Sequence, residues 1–239
     1  MLRNHPISGV RHKIALMPDL SIPSTLLLAI DTCGPTGSVA LGRVCGVAVE
    51  ILGLVELEGR NFSSTLVAAV GELLAQGGVS LRELGAIVAV SGPGSFTGVR
   101  VGLAAVKGLA EGARIPVVAV SRLEVLAAKA EVEAAALDAH RHEVYLRLSE
   151  PTRELLAGAG DLAEITPVRI AVCDEATAGL LAAAWPGVEL VRVSAPTAAD
   201  ALRLCMPRVL AGEFADLETL DGHYLRRSDA EIFGETARA

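Results

Sequence analysis

From Thr25 onward the hydrophobic pattern runs through one order of segments and then starts that order again. Three apolar, strand-like runs come first, in "TLLLAIDTCGPTGSVALGRVCGVAVEILGLVEL", with Gly34, Pro35 and Gly37 in the first gap and Gly42 and Gly46 about the second. Runs of this length broken by turn residues predict a three-strand meander. The pattern then predicts a helix over 63–76, a strand over 86–90, a helix over 97–111 and a strand over 116–120. A further helix opens at Ser121, with Glu124 at capping-box spacing. Near Ala134 strand patterns resume in "AAALDAH", "HEVYLRLS" and "VRIAVC", followed by the helical "DEATAGLLAAAW" and the strand-like "VELVRV". A chain that reads β-β-β-α-β-α-β-α and then repeats this in shorter form predicts an α/β protein of two lobes with mixed sheets and a cleft between them.

The boundaries follow from the same pattern. Residues 25–132 form the first lobe and 133–195 a reduced second lobe. A helix over 196–213, opened by Thr197 and Asp200 at capping spacing, packs back on the first lobe, and 214–239 is a polar tail. Residues 1–24 hold Pro6, Pro18 and Pro23 and no sustained period, and are expected to be an extension outside the lobes.

Composition narrows the function classes. With 51% hydrophobic residues in 239, the chain can fill a sizeable core. A net charge of -7 argues against unaided binding of nucleic acid, which rests on clustered Lys and Arg. Four Phe, two Tyr and one Trp are too few for a base-stacking platform. Cys33, Cys45, Cys173 and Cys205 are scattered, with no C-x-x-C pair, and read as reduced, buried, small hydrophobes of a cytoplasmic protein. "STLLLAI" is too short to span a bilayer.

The residues able to carry chemistry are few. "SGPGSFTG", with Gly92, Pro93, Gly94 and Ser95 at its centre, leaves a strand and enters a helix, where an anion is favoured. It matches neither common phosphate-loop pattern, has no Lys, and loses one N–H at Pro93, so a conformational turn is the preferred reading over an anion site. In the helix after it, Val99, Leu103, Val106 and Ala110 form a core stripe and Arg100, Ala104, Lys107 and Glu111 a polar one. Gly98, Val101, Gly102 and Ala105 leave the remaining side almost without bulk. In the earlier helix Leu66, Val70, Leu73 and Leu74 are core, while Ser64, Ala68, Gly71 and Ala75 make a second small side. Interior glycines cost roughly 1 kcal/mol each in a helix, so close helix approach is the expected gain, either within the lobe or across a subunit interface. On the interface reading, Gly102→Leu spares the fold and weakens association. Asp31, followed by Thr32, occupies the position of the phosphate-side carboxylate in an actin-like or hexokinase-like ATPase, for which a turn-capping Asp is the plainer reading, and Asp138 stands in the matching place of the second lobe; together they outline a degenerate nucleotide cleft. The five histidines show no H-x-x-x-H, and His140 and His142 read as a solvated turn, so no metal site is expected.

Taken together, "LLLAIDTCGPTGSVAL", "SGPGSFTGVRVGLAAVKGLAEGARIPVVAVSRLEVLA", "ALDAHRHEVY" and "YLRR" resemble the TsaB family, also called YeaZ, from about Leu26 to Arg226. The resemblance implies an actin-like or Hsp70-like (ASKHA) two-lobe fold with ribonuclease H-like sheets and a degenerate nucleotide cleft. It implies a noncatalytic dimerisation subunit without cofactor that binds a TsaD-like threonylcarbamoyltransferase, alongside a TsaE-like ATPase, in making threonylcarbamoyladenosine on tRNA. It also implies that the two small-faced helices form the partner interface. The chain departs from the family pattern at Phe62, where relatives often place His, and at His140, where they have Arg. Two other classes stay open: an autonomous ATPase or peptidase-like enzyme, and a homodimeric binding protein.

Overall fold

The computed structural model describes residues 25–58, 61–165 and 167–226; the expected extension over 1–24 and the end of the expected tail lie outside the described residues. The first sheet holds β1 (Leu26–Asp31), β2 (Thr36–Cys45), β3 (Ala48–Glu58), β4 (Leu84–Val90) and β5 (Val117–Val120) in the order β3-β2-β1-β4-β5. The meander pairs antiparallel, while β1, β4 and β5 run parallel. The parallel strands are almost wholly apolar because both of their faces are covered.

Those two covers can be traced to neighbouring residues. Leu41 on β2 meets the end of helix α1 (Phe62–Gln76) at Gly77, whereas the adjacent Gly42 meets Leu202 of helix α6 (Ala198–Leu210). Successive strand residues point to opposite faces, so α1 and α6 lie on opposite sides of the sheet. Helix α2 (Phe96–Ala113) packs on β1 and β4 beside α1.

The second sheet repeats the first: β6 (Ala135–Asp138), β7 (Val144–Ser149), β8 (Thr152–Ala157), β9 (Arg169–Val172) and β10 (Glu189–Arg192) stand in the order β8-β7-β6-β9-β10. Thus β6 takes the place of β1. Ala134 and Ala136 enter one core with α4 (Ala159–Ala163) and α5 (Glu175–Ala184), while Ala135 and Leu137 enter another with α3 (Arg122–Lys129).

This last contact differs from the boundary expected at residue 132. Helix α3 follows β5 yet packs on β6, β7 and β9, just as α6 follows β10 yet packs on the first sheet. Each lobe hands its last helix to the other, and Lys129 of α3 joins them through 2.9 Å contacts to Asp200 and to the Ala195 carbonyl. The capping expectations divide. Thr197 and Asp200 form their box, but Ser121 accepts from the Leu123 N–H and donates its hydroxyl to Glu154, far along the chain, instead of closing a box with Glu124.

The described part of the expected tail is tied into the fold. Ala215 bridges Val117, Leu220 is buried, and the His223 N–H donates to the Ser91 carbonyl at 2.8 Å. Residues 220–226 then cross from the first lobe to the second, where Arg226 pairs with Glu143. No helix among the described residues is long and apolar enough to cross a membrane.

Candidate functional site

The outer face of α1 is unusually bare for its composition. Ser64, Ala68, Gly71 and Ala75 are all exposed, and Val67, which the small-residue pattern did not single out, is 61% exposed among them. A Cβ on Gly71 would meet nothing within 4 Å. On the adjoining helix α2, Ala104 and Gly108 are exposed, and Val101 and Ala105 are half-buried. Leu66, Val70, Leu73 and Leu74 below, with Val99, Leu103, Val106 and Ala110, are buried in the lobe's core.

Gly98 and Gly102 do not belong to this face. A Cβ on Gly98 would stand 2.0 Å from the Thr32 carbonyl oxygen, and one on Gly102 would stand 2.2 Å from the Thr32 hydroxyl. That hydroxyl donates to the Gly98 carbonyl at 2.7 Å. The two glycines let α2 lie directly on the turn after β1, so the close approach read from them is internal. The expectation that Gly102→Leu spares the fold is corrected accordingly. Helical periodicity showed that these positions share a side but not which neighbour lies against it.

The N-terminal end of α2 carries a cluster absent from the sequence reading. Phe96 and Tyr224 are 38% and 36% exposed, their ring centroids lie 5.0 Å apart, and the Arg100 guanidinium sits 3.7 Å over Phe96. Large aromatics within "GSFTG" and "HYLRR" were the available signal; only the fold brings them together.

The turn before α2 is held from several sides. Gly92 has φ +113, a conformation that favours glycine. Its carbonyl accepts the Arg122 N–H, and Ser91, just before it, receives the strap at His223. Pro93 is buried, Gly94 lies against the Cys33 carbonyl, and the Ser95 N–H donates to that carbonyl at 2.7 Å while its hydroxyl caps Gly98.

In the cleft, Asp31 is 2% exposed and its carboxylate is taken up within the chain. Oδ1 accepts the Cys33 N–H at 2.8 Å, and Oδ2 faces Arg122 Nε at 3.4 Å. The same guanidinium lies so close over Gly34 that a Cβ there would be 2.3 Å from it. Asp138 is used separately: its oxygens hold the N–H and the Nδ1 of His140 at 2.7 and 2.9 Å. Phe62 is buried with its ring against Gly37, a packing role at the head of α1.

Behind the cleft Glu154 gathers three elements. It accepts from Ser121 at 2.6 Å and Arg147 at 2.9 Å, and pairs with His223 Nε2 at 2.8 Å. Burial pushes its pKa up, but hydrogen bonds from His223, Ser121 and Arg147 outweigh that and hold it below the usual carboxylate range. Of the cysteines, Cys33 and Cys205 are buried, the Cys205 thiol being pushed up to about 12 by desolvation, but Cys173 is only half-buried and Cys45 is exposed, contrary to the expectation for all four. Cys45 ends β2 at the hairpin, where the strand pattern outlasts the covered face. Among the described residues no group of three His, Cys, Asp or Glu side chains could hold a metal ion.

Comparison with known proteins agrees with this architecture. A family model for TsaD, the tRNA N6-adenosine threonylcarbamoyltransferase, matches residues 55–166, just under half of the chain. A solved structure from Pseudomonas aeruginosa, described as similar to the peptidase YeaZ, superposes with a TM-score of 0.69 at 30% identity, over 84% of this chain and all of that one. The chain belongs to the TsaB/YeaZ family. Its two-lobe fold is accordingly the actin-like one. The TsaB proteins of Haemophilus influenzae and Escherichia coli are 40% and 38% identical to this family member, over 54% and 50% of its chain. The chain spans about half the length of these curated relatives, 54% and 52% respectively.

Proposed function

We propose that this chain is a noncatalytic scaffold subunit that supports threonylcarbamoyladenosine formation on tRNA by binding a TsaD-like threonylcarbamoyltransferase through the outer face of α1 and α2. The observation that carries this reading is the row of exposed, mostly small residues on α1, Ser64, Val67, Ala68, Gly71 and Ala75, beside a helix α2 with exposed Ala104 and Gly108, which a partner helix can approach at the roughly 8–10 Å spacing of packed helices. The relatives named TsaB supply the pathway, and the match to a TsaD family model supplies a reason for pseudo-symmetric pairing with a transferase of related fold. The engagement of Asp31 by Arg122 and the Cys33 amide supports a scaffold over an autonomous ATPase. In this scheme a TsaE-like ATPase joins the complex, tRNA is held through the partners because the chain carries a net charge of -7, and the setting is the cytoplasm.

The test is co-purification with the same genome's TsaD-like subunit, using Gly71→Leu. The expected outcome is a folded chain that no longer co-elutes and no longer supports tRNA modification. Undiminished co-elution of Gly71→Leu, or wild-type chain that pairs only with itself through this face, overturns the assignment.

A further inference from the structure

The exposed α2 residues Ala104 and Gly108 continue a row that starts at Phe96 and Arg100, each four residues from the next and each exposed. Ala104 and Gly108 offer a partner almost no side chain, but the head of the row offers an aromatic ring and a charge. The Arg100 guanidinium lies 3.7 Å from the Phe96 ring centroid and 5.9 Å from that of Tyr224. Tyr224 belongs to the strap, where the N–H of the preceding residue, His223, is bonded to the Ser91 carbonyl just before the turn that opens α2. One ring from the helix and one from the strap thus hold a single guanidinium at the surface.

Among the described residues no ion pair includes Arg100, whereas Arg122, Arg147 and Arg226 are each committed to a carboxylate. Its helical neighbours three and four positions away, Phe96, Thr97, Leu103 and Ala104, are all uncharged. A guanidinium held over a ring by cation–π attraction keeps its N–H fork for a planar acceptor, which a carboxylate fits through two parallel bonds. Building on the docking surface assigned to α1 and α2, we propose that Phe96, Arg100 and Tyr224 form an anchor that takes an Asp or Glu side chain of the TsaD-like subunit and so fixes the direction in which that subunit lies. The small residues permit close helix approach from either direction, whereas one charged, aromatic end favours a single orientation. Tyr and Arg are also residue types in which binding energy concentrates. An RNA phosphate would fit the same fork, but the net charge of -7 repels RNA, and the anchor stands on the row of a helix suited to packing against another helix.

Affinity of the full-length chain for the purified TsaD-like subunit, measured by titration calorimetry, tests this, with thermal melts to confirm that each variant folds. Arg100→Ala is expected to weaken binding about tenfold or more with the melting temperature nearly unchanged. Arg100→Lys, which keeps the charge without the planar fork, should recover only part of that loss, and Tyr224→Leu should weaken binding several-fold. Wild-type affinity should also fall more steeply with added salt than that of Arg100→Ala. Binding that Gly71→Leu abolishes but Arg100→Ala leaves intact overturns the anchor while the docking surface stands. Binding that neither change affects overturns both. If instead Arg100→Ala lowers affinity for tRNA alone and spares the subunit, the fork serves phosphate and the carboxylate assignment is wrong.

Discussion

Glycines that look alike in the sequence have opposite roles. Gly71→Ala adds a Cβ to open space on a helix, and should stabilise the isolated chain by about 1 kcal/mol through helix propensity. Gly98→Ala adds the same atom 2.0 Å from a backbone oxygen. Overpacking of that kind costs roughly 1–3 kcal/mol, so its melting temperature should fall below wild type; a melt at or above wild type would return Gly98 to the outer face. A second residue-scale expectation concerns Arg122. It is nearly buried and stands 3.4 Å from an equally buried Asp31, so Arg122→Met leaves an unpaired carboxylate, at a cost of about 3–5 kcal/mol. Adding Asp31→Asn should restore part of that loss in chemical denaturation. Equal stability of the single and double variants would show that the pair contributes no coupling.

At the scale of elements, the exchange of α3 and α6 between lobes makes their caps matter beyond each helix. The Thr197 hydroxyl and the Asp200 carboxylate satisfy the first turn of α6, and Asp200 also holds Lys129 of α3. Thr197→Ala should cost about 0.5–2 kcal/mol in urea unfolding, the usual range for a lost cap. Asp200→Ala should cost more, because it also frees Lys129. If the two variants were equal, the bond between helices would carry no weight. The capping spacing was legible in the sequence at Thr197, where the box forms locally. It misled at Ser121, whose hydroxyl instead finds Glu154, thirty-three residues away.

At the scale of the whole molecule, Glu154 ties β8, the head of α3 and the C-terminal strap into one node. Its carboxyl titrates below the usual 4.5 in the folded chain and near that value in the unfolded one. The node's contribution is therefore complete above that usual value and is lost as pH falls through the lowered folded value. Thermal melts should show wild type exceeding Glu154→Gln at neutral pH, with the gap closing under acid. A gap that stays constant from pH 7 down to the acid limit would mean the carboxylate's charge does not hold the strap.

The order of segments, the duplicated lobe and the core stripes of α1 and α2 were all set by the sequence through local periodicity. Each depends on which side chains share a face of one element, and that follows from 2.0- and 3.6-residue repeats. Tertiary structure alone decided what lies opposite each face. It placed Thr32 against Gly98 and Gly102, Arg122 over Asp31, α3 on the second sheet, and Phe96 beside Tyr224. These pairs join residues far apart in the chain, and their partners are fixed by how two twisted sheets exchange helices, which no repeat within a single element encodes.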